Sequence, residues 1–206
     1  MPNIELLEKS MPVAPIRIAA LGCRELAEEV DRKLVKFRNE LVERKQLSVI
    51  PQGYSEESFI VECECPRFGT GEGKGYIKES VRGTDLYIMV DVTNYSESYT
   101  VCGHENHMSP DNHFQDLKRI ISAATGKAHR INVIMPFLYE GRQHRRTKRE
   151  SLDCALALKE LSDMGVSNII TFDAHDPRVQ NSIPLNGFDN FCLLYTSDAA
   201  DEARSV

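Results

Sequence analysis

Residues 131–176 read INVIMPFLYEGRQHRRTKRESLDCALALKELSDMGVSNIITFDAHD, and their pattern decides the fold. The apolar run Ile131–Phe137 predicts a strand. A polar, basic segment follows, and residues 151–164 then predict a helix that Gly165 ends. Asn168–His175 predicts the next strand. Strand, helix and strand at this spacing indicate parallel neighbours joined by a crossover helix. In open parallel sheets, ligands bind beyond the carboxyl ends of the strands. Both strands run into polar clusters there: Tyr139–His144 after the first, Asp173–Asp176 after the second.

Upstream, the same alternation continues. Ile16–Leu21 predicts a strand. A helix over Arg24–Arg44 follows, because Leu26, Val30, Leu34, Phe37 and Leu41 recur at three- and four-residue steps. Phe59–Cys65 and Tyr76–Val81 predict strands on either side of a glycine-rich loop, Gly69–Gly75. Asp85–Val92 predicts a buried strand that empties into Asn94. Residues 94–108 are polar and unpatterned, and predict a loop. Ser109-Pro110 fits a helix cap with proline at the first helical position. Phe114, Leu117, Ile121 and Ala124 then mark one face, and Gly126 a stop. Residues 1–15 predict an irregular lead-in.

Bulk properties narrow the function. The 206 residues carry a net charge of -6 and a pI near 5.6, so the chain as a whole is not drawn to nucleic acid or anionic membrane. No apolar run approaches the roughly 18–20 residues needed to cross a bilayer. The first residues lack a secretory apolar core, so a cytoplasmic location and reduced thiols are expected for the six cysteines. Cys63 and Cys65 are spaced too closely for a zinc or redox pair. Cys102, His104 and His107 lack a fourth zinc ligand.

Several features admit plain readings. Five of the eight residues from Arg142 to Arg149 are Arg or Lys. They suit a solvated helix approach, a nucleic-acid patch or a grip on phosphate, where arginine makes charge-assisted paired bonds. His175 suits a turn, and Asp173 and Asp176 suit caps. The glycine-rich loop has neither phosphate-loop spacing nor a strand–loop–helix setting. Residues alone lead to a phosphate or nucleotide site on a parallel sheet.

Together the motifs carry a resemblance. VIMPFLYEGRQHRRTKRE is similar to the stretch IPYFGYARQDRK of the ribose-phosphate pyrophosphokinases, also called PRPP synthetases. TFDAHDPRVQNSI resembles their DLHADQIQGFF, SVRGTD their NVRG-D turn, and SPDNHFQDLKRIISA their NDNLMELLIMIDA helix. The resemblance runs from about residue 16 to 191, is most specific over 109–191, and covers the N-terminal half of that family's two-domain chain. It implies a three-layer α/β domain of the phosphoribosyltransferase-like type over residues 16–191.

By this resemblance, the parent protein transfers diphosphate from ATP to the C1 hydroxyl of ribose 5-phosphate, giving PRPP and AMP with Mg²⁺. Arg142 and Gln143 then match the family's ATP contacts. His175 matches a histidine at the ATP phosphates and metal, and Asp173 a structural or outlying carboxylate. Phe68 and Glu72 match a loop that reaches ATP from a neighbouring subunit, so a dimer or hexamer is implied, with no nucleic acid or membrane partner. The family's acceptor loop and catalytic mobile loop have no match here. The fragment is therefore expected to hold no catalytic residue and to be inactive alone. Thr70 and His144 replace family aspartates, which leaves a weakly active regulatory or scaffolding relative as the alternative. The last residues, 192–206, CLLYTSDAADEARSV, read as translated sequencing adapter and are expected to be poorly buried.

Overall fold

A computed structural model describes residues 15–45 and 56–193. Five strands form one fully parallel sheet: β1 (Ile16–Leu21), β4 (Asp85–Val90), β7 (Arg130–Ile134), β8 (Val166–Phe172) and β9 (Gly187–Phe191), in that order across the sheet. The helices are α1 (Arg24–Lys45), α2 (Pro110–Ala124) and α3 (Asp153–Asp163), with a 3₁₀ turn over Pro177–Ser182. Two antiparallel hairpins stand beside the sheet: β2 (Cys63–Glu64) with β3 (Tyr76–Ile77), and β5 (Ser98–Val101) with β6 (His104–His107). Among the described residues, no helix is long and apolar enough to cross a membrane.

Strand pleat divides the core between the two sheet faces. Leu86, Ile88, Val90, Val133 and Ile169 point to one face and pack under Leu117, Ile120 and Ile121 of α2 and Leu158 and Leu161 of α3. Each such buried side chain contributes about 1.5–3 kcal/mol. Ile18 and Met89 point to the other face and meet Ala27 of α1 and Phe59, with Val30 and Leu34 at the margin. Helix α2 ends as expected. The Ser109 hydroxyl accepts a bond from Asn112 N–H, and Gly126 (φ 74°) turns the chain out of the helix. Gly165 (φ 89°) does the same after α3.

Four expectations need correction. In α1 the apolar period gives only part of the inward face: Val30 and Leu34 pack inward, but Leu26 and Phe37 are 43% and 46% exposed, whereas Asp31 and Arg38 are buried. Polar bonds outrank the apolar stripe there. Asp31 accepts from Phe59 N–H (2.7 Å) and the Ser58 hydroxyl (2.8 Å), and Arg38 donates to Glu56 C=O. The side chain of Leu41 lies outside the described residues. The strand expected over Phe59–Cys65 splits. Ile60 bridges to Ile18 of β1, while Cys63–Glu64 turns away as β2 to pair with a short β3, so little of Tyr76–Val81 is strand.

The loop expected over 94–108 is the β5–β6 hairpin. Its two-residue turn has positive φ at Cys102 (51°) and Gly103 (80°), the backbone a tight hairpin requires. Lastly, β9 forms in IPLNGFDNF, where no strand was assigned. A Cβ at Gly187 would lie 2.3 Å from Asn168 Oδ1, so glycine lets β9 approach β8. Beyond β9, Leu193 is 57% exposed. Residues 194–206, most of the adapter-like stretch, and residues 1–14 of the lead-in lie outside the described residues.

The hairpins are fastened to α2 by one buried ion pair. The Arg67 guanidinium grips both Asp116 oxygens (2.8 and 2.7 Å), donates to Cys65 C=O (2.9 Å) and lies 5.0 Å from the Tyr99 ring centre. The two partners are 6% and 7% exposed. A Cβ at Gly75 would meet the Arg119 backbone at 2.6 Å, so the glycine-rich segment lies flat on the helix. Replacing Asp116 by Ala leaves Arg67 buried and poorly compensated. Urea unfolding of D116A is expected to show a loss of about 3–5 kcal/mol, and a loss below 1 kcal/mol (roughly the exposed-pair value) would contradict the clamp.

Candidate functional site

Because β7 and β8 are parallel neighbours, the segments that leave their carboxyl ends emerge side by side. The first is built as a pair of tight turns. Gly141 N–H donates to Leu138 C=O (3.0 Å) and Gln143 N–H to Glu140 C=O (2.8 Å), with Glu140 at φ 54°. Tyr139 anchors the base, stacked on Phe114 (4.3 Å) with its hydroxyl donating to Asp111 (2.6 Å). Burial and the Asp111 carboxylate push its phenol above the usual range. Burial, with Asp153 and Asp111 nearby, also raises the Glu140 carboxyl.

Gln143 turns inward. Its amide donates to Ser151 C=O (2.8 Å) and closes the basic segment into a loop. Arg142 turns outward and is exposed. Its guanidinium makes no hydrogen bond or ion pair among the described residues. Residues 145–150 form an exposed loop that leads into α3, and Arg145, Arg146, Lys148 and Arg149 likewise pair with none of the described acids. An acidic chain thus presents a local cluster of free cations, which attracts polyanions.

The second segment turns sharply at Asp173, whose φ of 44° ends β8. Asp173 N–H donates to Phe191 C=O (2.9 Å), Ala174 N–H to Asn190 Oδ1 (3.0 Å), and the Asp173 carboxylate faces Leu193 N–H at 3.3 Å. Strand β9 therefore holds the turn, and His175 stands exposed at its tip. Asp176 caps the 3₁₀ turn, accepting from Arg178 N–H and from its guanidinium (both 2.9 Å at Oδ1). These bonds hold the Asp176 carboxyl well below the usual carboxylate range.

The structure brings Arg142, Gln143, His144, His175 and Asp176 to one edge of the sheet. The His144 and His175 ring centres are 4.9 Å apart, and His144 Nε2 lies 3.6 Å from Asp176 Oδ2. Asn94, at the end of β4, does not join them. It bonds Gly22 C=O (2.8 Å) and borders a separate cavity of about 700 Å³ lined by Gly22, Asp91, Thr93, Glu97 and Phe137. Phe68 and Glu72 sit at the tip of the glycine-rich hairpin, where Phe68 is 56% exposed and the Thr70 hydroxyl donates to Glu72 (2.9 Å). No hydrogen bond, ion pair or ring contact joins them to Arg142 or His175 among the described residues. Sequence reasoning missed Asn190 and Arg178 as supports; the Asp-Pro-Arg order at 176–178 was the available signal for the latter.

No group of three or more His, Cys, Asp or Glu among the described residues is placed to hold a metal ion. One exposed imidazole, with Asp176 committed to Arg178, does not make a protein cage. Burial pushes the thiols of Cys23, Cys63 and Cys154 to about 11 and Cys65 to about 12, so none is a nucleophile at neutral pH.

Arg178 sets the titration of Asp176. A depressed folded-state value adds stability that is fully present above about pH 4 and is lost as pH falls through that value. In R178A the Asp176 carboxyl is expected to move up toward about 3.9, read by carboxyl NMR, and acid unfolding to begin at higher pH. Identical titration in both proteins would refute the pairing.

Comparison with known proteins places these elements in context. A family model described as the N-terminal domain of ribose phosphate pyrophosphokinase matches residues 18–165. Ribose-phosphate pyrophosphokinase of Corynebacterium ammoniagenes is 30% identical over 129 residues, 61% of this chain and 36% of that one. Ribose-phosphate pyrophosphokinase B of Dictyostelium discoideum is 30% identical over 115 residues, 55% of this chain and 31% of that one. The crystal structure of phosphoribosylpyrophosphate synthetase from Mycobacterium smegmatis superposes with a TM-score of 0.62 at 21% identity, over 91% of this chain and 52% of that one. The matched stretches thus span about a third to a half of these relatives' lengths.

Proposed function

This chain belongs to the ribose-phosphate pyrophosphokinase family, matching its N-terminal domain, and from that membership we propose that it forms the ATP-binding part of a ribose-phosphate diphosphokinase. Its parallel sheet between helical layers is the phosphoribosyltransferase-like fold. The domain is taken as residues 16–191, ending with β9, and residues 192–206 as standing outside it. The parent protein would transfer diphosphate from ATP to the C1 hydroxyl of ribose 5-phosphate. The stretch 16–191 would supply the nucleotide-binding part of that reaction.

The observation that carries the reading is the meeting of the Arg142 loop and the His175 turn at the carboxyl ends of neighbouring parallel strands. Transfer between two phosphorylated substrates gathers negative charge, and catalysis of such transfers is chiefly positioning and charge stabilisation. Arg142 would grip the nucleotide as a fixed cation, since its guanidinium stays protonated. Gln143 would keep the loop closed from behind, and His175 would face the phosphates. Magnesium, bound through phosphate oxygens, would supply further charge neutralisation. Phe68 and Glu72, on the exposed tip of the glycine-rich hairpin, would by the family resemblance serve a neighbouring subunit's nucleotide in a homo-oligomer.

A second reading, a nucleotide-binding regulatory relative, is favoured by the Thr70 bond to Glu72, which ties the loop's carboxylate to its own turn. Titration calorimetry with ATP and Mg²⁺ tests the shared premise. The chain is expected to bind ATP, and R142A to bind it at least tenfold more weakly, about 1.4 kcal/mol, with unchanged thermal unfolding. Binding of oligonucleotide but not ATP would instead favour a nucleic-acid role for Arg142–Arg149.

A further inference from the structure

We infer that His144 is a positioning residue, the clip that sets the Arg142 loop against the His175 turn. The inference takes its ligand from the nucleotide reading above, but its structural half stands apart from it. Arg142 and His175 are exposed and have no hydrogen-bond or ion-pair partners of their own among the described residues. Left to themselves, two such side chains on separate segments would spread over many rotamers. A site that grips one ligand with both needs their segments held in register.

His144 is placed to do this. Its side chain is 12% exposed, against the open setting of its neighbours. The ring lies 4.9 Å from that of His175 at 34°, and Nε2 lies 3.6 Å from Asp176 Oδ2. That distance exceeds a hydrogen bond, so the contact is electrostatic or passes through a water. No other hydrogen bond between side chains, ion pair or ring contact among the described residues joins residues 139–150 to residues 173–178. Gln143 cannot serve, because its amide closes its own loop at Ser151. Asp176 is itself immobile, fixed by Arg178 and by the 3₁₀ turn that it caps. The clip therefore ends on a rigid post.

A purely packing role fits poorly. His144 Nδ1 is buried with no hydrogen-bond partner, a cost that an apolar ring of similar shape would avoid. With Nε2 turned to the carboxylate and carrying the hydrogen, Nδ1 is left as an acceptor.

Two substitutions separate ring from nitrogen. H144F keeps the ring and loses Nε2; H144Q places an amide nitrogen near Nε2 and loses the ring. Both are compared with the unsubstituted chain by ¹⁵N relaxation over residues 173–178, ATP·Mg²⁺ calorimetry and thermal unfolding. The expected result is that H144F unfolds at the same temperature or higher, loosens the 173–178 turn, and binds ATP at least tenfold more weakly. H144Q keeps the turn ordered and binds within about threefold of the original. If H144F binds and relaxes like the original, His144 is a packing residue and the inference fails. If both variants are equally impaired, the ring and not Nε2 makes the link, and the assignment to Asp176 fails. If the unsubstituted chain binds no ATP, the nucleotide reading falls. The relaxation data alone then decide the clip: loosening in H144F but not H144Q supports it, and no difference overturns it.

Discussion

Parallel pairing of β7 with β8 is the constraint on which the candidate site depends. Val133 opposite Ile169 and Ile134 opposite Ile170 fix the register, and Val133 and Ile169 are buried at 0% and 1% exposure. A one-residue slip would turn these side chains out of the core and carry His175 away from the Arg142 loop. The candidate site rests on strand ends that the core cannot move without losing several kcal/mol of burial. Strand β9 reinforces the arrangement, since Phe191 and Asn190 take up the backbone of the Asp173 turn.

Away from that edge, polar groups organise the periphery. The Arg67–Asp116 pair joins the glycine-rich hairpin to α2, and the Tyr99 and Met108 contacts of Arg67 draw the β5–β6 hairpin onto the same post. Asp31 and Arg38 fasten α1 to residues 56–59. Breaking such a pair costs more than its net contribution, because one charge is left stranded in a low-dielectric setting. The glycines at 73 and 75 belong to this fastening. They allow close approach to Arg67 and Arg119.

The β–α–β unit over 131–176 was legible because its apolar runs lie in order and glycine ends the helix. That the strand-end clusters holding Arg142, His144, His175 and Asp176 would come together was legible too, since polar clusters at strand ends have a known place in a parallel sheet. Helix α1 was legible as a helix, but part of its buried face was not, because inward positions hold an aspartate and an arginine whose partners lie more than fifteen residues away. The β5–β6 hairpin was missed because Cys102 holds a left-handed position that asparagine or aspartate more often fills. Strand β9, GFDNF, carries too few apolar residues to announce itself and forms through its edge pairing with β8. Periodicity gives no role to Phe68 and Glu72, which among the described residues share no hydrogen bond, ion pair or ring contact with Arg142 or His175.

The most direct measurement is a backbone NMR map of the chain titrated with a non-hydrolysable ATP analogue and Mg²⁺. Shifts concentrated at residues 139–144 and 173–178, saturating together, are the predicted result. Shifts confined to residues 145–149, or to the cavity around Gly22 and Asp91, with 173–178 unmoved, would contradict a nucleotide site built where β7 and β8 end.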